Sequence, residues 1–164
     1  MAAFNFSIDV PIRNEWENVD LLRSSVQSCF SAVFRDVDGC HALAMVTGEL
    51  LENAIKYGDW SAEARLFHLK VWGEGRRAFV AVENPVKADD AGVDSLLATL
   101  RWMRGFPSAD EAYRARLLEI ANAPATERHH SRLGLVRIAY EGNCTLRADA
   151  LGDNRIRITA EVPF

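Results

Sequence analysis

The sequence has few of the features that mark secreted, membrane or nucleic-acid-binding proteins. It contains no apolar run near the ~18 residues that a membrane-spanning helix needs, and its first residues lack the charged-then-apolar order of a secretion signal. Its three cysteines, Cys29, Cys40 and Cys144, form no CxxC pair, which predicts reduced and mostly buried thiols. Acidic residues outnumber basic ones by 23 to 19, and the net charge of −4 disfavours binding to nucleic acid or an anionic membrane. We therefore expect a cytoplasmic protein with no nucleic-acid or membrane partner.

The length and composition are those of one globular unit. The chain has 164 residues, of which 49% are hydrophobic and 26% are charged. A chain of this length buries roughly two-thirds of its unfolded surface when it folds, so it needs no disulfide or metal to be stable. The sequence therefore predicts a single domain over residues 1–164.

Hydrophobic periodicity predicts an α+β fold. Apolar and polar residues alternate over 3–10, which predicts a strand that ends at Pro11. The other predicted elements are helices over about 15–34, 40–57, 93–104, 109–121 and 133–140, and strands over about 66–72, 77–83, 144–150 and 155–162. This order favours a two-layer α/β sandwich with one mixed, mainly antiparallel sheet and helices packed on one face.

The most informative polar residues lie in the second predicted helix, within about 47–58. Glu49 and Asn53 are one turn apart and share a helix face, and Lys56 extends the same polar strip. An amide oxygen can hold Mg²⁺ when phosphates supply its other ligands, while a carboxylate can take a proton from an attacking hydroxyl. An ordinary solvated face of an amphipathic helix is the alternative interpretation.

The string E-L-L-E-N-A-I-K-Y-G that contains these residues resembles the N-box of the GHKL ATPase superfamily, and most closely that of the bacterial anti-sigma-factor serine kinases. The resemblance implies that Glu49 is the general base, that Asn53 is the Mg²⁺ ligand and that ATP is bound. It continues at 83–85, where the family has its adenine-reading D-x-G, and at 131–136, which is similar to the phosphate loop that opens a helix.

Both later boxes depart from the family pattern. Glu83 or Asn84 would replace the adenine-reading aspartate, and Pro85 replaces the glycine that follows it. Only Gly134 remains of the three phosphate-loop glycines, and the Arg132 side chain could substitute for the lost backbone contacts. The cofactor-binding residues implied by the resemblance are Asn53, Lys56, Glu83, Asn84, Arg132, Leu133, Gly134 and Leu135.

A helical lid over about 88–132 separates these two boxes, and it makes the chain similar to SiaB-type protein kinases. The resemblance implies an ATP- and Mg²⁺-binding regulator that phosphorylates or sequesters a STAS-domain partner, with a homodimer expected by analogy. The alternative is a nucleotide-free module that only binds a STAS protein or a sigma factor. The intact N-box favours the first hypothesis, whereas Pro85 and the missing glycines favour the second, so serine/threonine kinase activity is left open.

Overall fold

The computed structural model describes residues 5–61, 66–87, 91–123 and 133–163. These residues form five helices and five strands in the predicted order. The helices are α1 (Glu17–Val33), α2 (Val37–Tyr57), α3 (Ala91–Met103), α4 (Ala109–Asn122) and α5 (Leu133–Glu141), and the strands are β1 (Asn5–Arg13), β2 (Leu66–Glu74), β3 (Arg77–Pro85), β4 (Thr145–Leu151) and β5 (Arg155–Pro163). The α+β class is confirmed.

The strands form one open sheet in the order β1-β2-β3-β5-β4. All four strand pairs in the described part of the chain are antiparallel, so the expectation of a mixed sheet is wrong. Its two hairpins turn at Gly75 and at Asp153-Asn154, where the backbone has the positive φ angles that tight hairpin turns require. Antiparallel pairing follows because these hairpins supply most of the sheet.

The first strand does not end at Pro11, as the sequence predicted. It continues to Arg13, and Pro11 lies opposite His68 of β2. Among the described strands β1 pairs with β2 alone and therefore forms an edge of the sheet. Proline is tolerated on an edge strand because the missing N–H can fall on the side where no strand accepts it.

One face of the sheet carries the core, and the helices cover it. Along β3, Ala78, Val80 and Val82 are buried, and so is Asn84 in the same alternating phase. The core continues into α2 and into Phe30 of α1, whose ring packs edge-on against Phe6 of β1 with centroids 5.1 Å apart. Side chains of the opposite phase, Glu83 among them, lie on the open face.

The second helix is longer than predicted at its N-terminus. It begins at Val37 because the carboxylate of Asp36 caps it, accepting a hydrogen bond from the backbone N–H of Gly39 at 2.9 Å. The helix ends at Tyr57, and the N–H of Gly58 donates to the carbonyl of Ala54.

The three cysteines are free thiols. Cys40 and Cys144 are buried, and burial raises the pKa of Cys144 to about 12. Within the described ranges, none of the helices has the length and apolar character needed to cross a membrane.

Candidate functional site

The candidate site is built on the polar strip of α2. Leu50, Leu51 and Ala54 anchor this helix in the core, whereas Glu49 and Asn53 are half-buried at its margin. One turn separates them, which places the two polar side chains one above the other on the same helix face. Lys56 is exposed, and its ammonium lies 5.1 Å from the centroid of the Tyr57 ring. The structure therefore groups Glu49 with Asn53 at the core margin, while Lys56 extends into solvent.

The carboxylate of Glu49 has a cationic partner that sequence analysis did not identify. The guanidinium of Arg137, on α5, donates a hydrogen bond to its Oε1 and forms an ion pair with it. Arg137 also lies 3.9 Å from Glu141 of the same helix, beyond hydrogen-bond distance, and its buried Nε has no hydrogen-bond partner in the described structure. From sequence alone, the four-residue spacing of Arg137 and Glu141 would have predicted an ion pair between them. That pair is the weaker of the two that Arg137 makes.

The amide of Asn53 is only partly satisfied. Its Nδ2 is buried and has no hydrogen-bond partner among the described residues, although the residue as a whole is partly exposed. Such an orphaned donor costs about 1–3 kcal/mol, because water is lost and nothing replaces it. Because the nitrogen is inaccessible, a ligand that binds this amide would have to contact its carbonyl oxygen.

The structure separates the two candidates for reading adenine. Asn84 lies on the helix-covered face at the end of β3, and its Nδ2 donates to the carbonyl of Pro85 at 3.0 Å. The same carbonyl accepts from the backbone N–H of Asp59 at 2.9 Å, which ties this strand end to the loop that follows α2. Asn84 is an even number of residues from Val80 and Val82, so the alternation of the strand alone would have placed it on this face.

Glu83 lies on the other side of the sheet, away from α2. Its two carboxylate oxygens accept from Arg155 at 2.9 Å and from Arg157 at 2.8 Å. Burial raises the pKa of Glu83, but the hydrogen bonds from Arg157 and Arg155 outweigh that effect and leave the pKa below its ordinary value. The structure does not bring Glu83 together with Glu49 and Asn53.

The first turn of α5 provides the remaining predicted residues. Leu133 and Leu135 are half-buried, and Leu135 packs against the core. Gly134 is exposed, and a Cβ built on it would lie more than 4 Å from every described heavy atom outside its chain neighbours and the backbone of its own helix. Arg132 lies outside the described residues.

The predicted lid contributes two helices, α3 and α4, and its residues 88–90 and 124–132 lie outside the described part. A cavity of about 280 Å³ lies between α3 and α4 and is lined by Ala98, Thr99, Trp102, Arg116 and Glu119. The Arg116 guanidinium stacks 4.0 Å above the Trp102 ring and pairs with Glu119 at 2.8 Å. None of the predicted site residues lines this cavity.

The described residues thus define an α+β protein with an open antiparallel sheet and a polar site where α2 meets α5. Neither the models of known protein families nor the curated proteins include a match to the chain.

Proposed function

We propose that the protein is a GHKL-type ATP-binding regulator, similar to the anti-sigma-factor and SiaB-type serine kinases. The observation that carries this proposal is that Glu49 and Asn53 are half-buried on one face of α2, with the Asn53 nitrogen buried and without a hydrogen-bond partner among the described residues. A helix whose polar face was only solvated would have no reason to bury an amide nitrogen without a partner. A STAS-domain target and a homodimer are further parts of the proposal, and both depend on the family resemblance alone.

The residues present fit a Mg²⁺–nucleotide. The Asn53 oxygen is a hard, neutral ligand of the kind that Mg²⁺ accepts when phosphates and water complete its shell. Gly134 leaves open space beside the first turn of α5, where backbone N–H groups favour a phosphate. On Asn84, Nδ2 is used by Pro85, so an adenine amino group would have to donate to the amide oxygen of this buried residue. Bound Mg²⁺ would neutralise charge on the phosphates.

In this proposal Glu49 acts as the general base for a serine of the partner. Its Oε1 accepts from Arg137, which leaves Oε2 to take the proton of the attacking hydroxyl. Asn53, one turn along α2, would hold the metal beside that hydroxyl. The two side chains would therefore divide proton transfer and phosphate positioning between them.

A second candidate function is a nucleotide-free protein-binding module. The observation that favours it is the ion pair between Glu49 and Arg137, because a carboxylate already matched with a cation needs no ligand to balance its charge. The self-contained hydrogen bond from Asn84 to Pro85 points the same way.

Calorimetric titration with ATP and Mg²⁺ separates the two functions. If the proposal is right, the parent protein binds Mg²⁺–ATP. Asn53→Ala should weaken that binding by about tenfold or more, because the amide that holds Mg²⁺ is lost. Absence of heat with every adenine nucleotide, for the parent and for Glu49→Gln alike, would leave only the binding module. Thermal melting of each variant checks that folding is retained.

The proton-transfer role of Glu49 needs its own measurement. Glu49→Gln should still bind ATP but should no longer transfer the terminal phosphate to a STAS-domain protein, because only the base is removed. Glu52→Gln is the matched control, since Glu52 lies on the same helix but is exposed. Equal transfer by Glu49→Gln and the parent would exclude Glu49 from this role.

A further inference from the structure

We propose that Arg137 is a phosphate-binding residue of this site, and that Glu49 and the nucleotide phosphates compete for its guanidinium. This inference rests on the proposed function, because it assumes that ATP binds where α2 meets α5. It adds Arg137, which lies outside the three segments that resemble family motifs, about 47–58, 83–85 and 131–136. In the structure this residue is paired with Glu49.

The hydrogen-bonding capacity of Arg137 is mostly unused. A guanidinium carries five N–H donors, and the described structure assigns one hydrogen bond, to Glu49. The Arg137 side chain is 40% exposed, although its Nε is buried. Arg137 therefore has donors with which to contact an incoming phosphate before its guanidinium leaves Glu49.

The position of Arg137 matches the open space at the start of α5. Gly134 and Arg137 are three residues apart and share one helix face. The Arg137 guanidinium already contacts Glu49 on α2. Asn53 is one turn further along α2, about 6 Å along the helix axis. A phosphate between Asn53 and Gly134 would thus lie within the range of this side chain.

Electrostatics favours transfer of Arg137 from the carboxylate to a phosphate. A nucleoside triphosphate carries more negative charge than one carboxylate, and its phosphate oxygens accept two parallel hydrogen bonds from a guanidinium. The ion pair that would be broken is partly exposed, with the Glu49 side chain 24% accessible, so it is weakly held. Transfer would leave both oxygens of Glu49 available to accept a proton.

The test is calorimetric titration with Mg²⁺–ATP of the parent and four variants. Arg137→Gln should bind about tenfold more weakly because a charged donor is lost. Glu49→Gln should bind about fivefold more tightly because the competing carboxylate is gone. In the double variant, which leaves neither charge unpaired, the tightening should disappear. Glu52→Gln, an exposed carboxylate of the same helix, should bind like the parent.

The outcomes distinguish this inference from the proposed function. If the parent binds ATP and Arg137→Gln binds equally well, Arg137 does not contact phosphate, although the nucleotide site stands. If Glu49→Gln is no tighter than the parent, or is equally tight without Arg137, the competition is refuted. If neither the parent nor Glu49→Gln binds any adenine nucleotide, the proposed function itself fails. Binding by Glu49→Gln alone would support competition, with the ion pair closing the site in the parent.

Discussion

Replacing Gly134 with alanine is expected to stabilise the folded chain and to weaken ATP binding at the same time. Gly134 is the second residue of α5 and is exposed, and among the described residues only its chain neighbours and its own helix backbone come within 4 Å of the position its Cβ would occupy. Alanine therefore adds no clash, and it exceeds glycine in helix propensity by up to about 1 kcal/mol in a helix interior. Close to the helix end we expect about half of that, roughly 0.5 kcal/mol.

The two effects are measured on the same samples. Thermal unfolding should show a rise in Tm of about 1–2 °C, the shift that ~0.5 kcal/mol gives in a chain of this size. Calorimetry with Mg²⁺–ATP should show binding weakened by about tenfold, because the methyl group fills the space through which a phosphate reaches the backbone N–H groups. Gly152→Ala is the matched control: Gly152 is exposed, it has equally open surroundings, and it lies in the β4–β5 turn.

Opposite signs of the two effects are the essential result. A loss of stability in Gly134→Ala would show that the surroundings of Gly134 are not open. A gain of stability with unchanged ATP affinity would show that phosphate does not approach Gly134, and it would remove the fit of the nucleotide at the start of α5. Weaker ATP binding in Gly152→Ala would show that the loss is not specific to the site.

Two further predictions concern the scaffold. Glu83→Gln should destabilise the chain by about 1 kcal/mol at pH 7, because Arg155 and Arg157 lose their shared carboxylate. The pKa of Glu83 is lowered in the folded state, so its contribution is present above its ordinary pKa of 4.5 and is lost as the pH falls through the lower folded-state value. Denaturant unfolding of parent and variant from pH 7 to pH 3 should show the difference between them shrinking, and a constant difference would contradict the assignment. Gly58→Ala should cost about 1–3 kcal/mol, since a Cβ there would lie 2.5 Å from the Trp60 ring and 2.7 Å from the Ala54 carbonyl oxygen. An unchanged melting temperature would show that both the Trp60 ring and the Ala54 carbonyl give way without cost.

The secondary structure could be predicted from local patterns because its causes are local. Periodicity located all five helices and all five strands, with ends shifted by a few residues. The errors have identifiable causes: the Asp36 cap extends α2 to Val37, and the position of β1 at the sheet edge lets the strand pass through Pro11.

The candidate site was predictable in part. Glu49 and Asn53 share a helix face by spacing alone, and the half-burial of both agrees with that prediction. The separation of Glu83 and Asn84 onto opposite faces of the sheet was contained in the alternation of β3, because Asn84 is in phase with Val80 and Val82. The pairing of Glu49 with Arg137 was not predictable, since the two residues are 88 positions apart.

By itself the sequence determined which segments become helix or strand and which side chains share a face, because backbone propensity and periodicity act over a few residues. The tertiary structure decided that β1 and β4 lie at the sheet edges and that Glu83 pairs with two arginines of the neighbouring strand β5. It also decided that Arg137 meets the carboxylate of Glu49. Such pairings join residues distant in the chain, and they form only when burial of the apolar face fixes how the helices pack on the sheet.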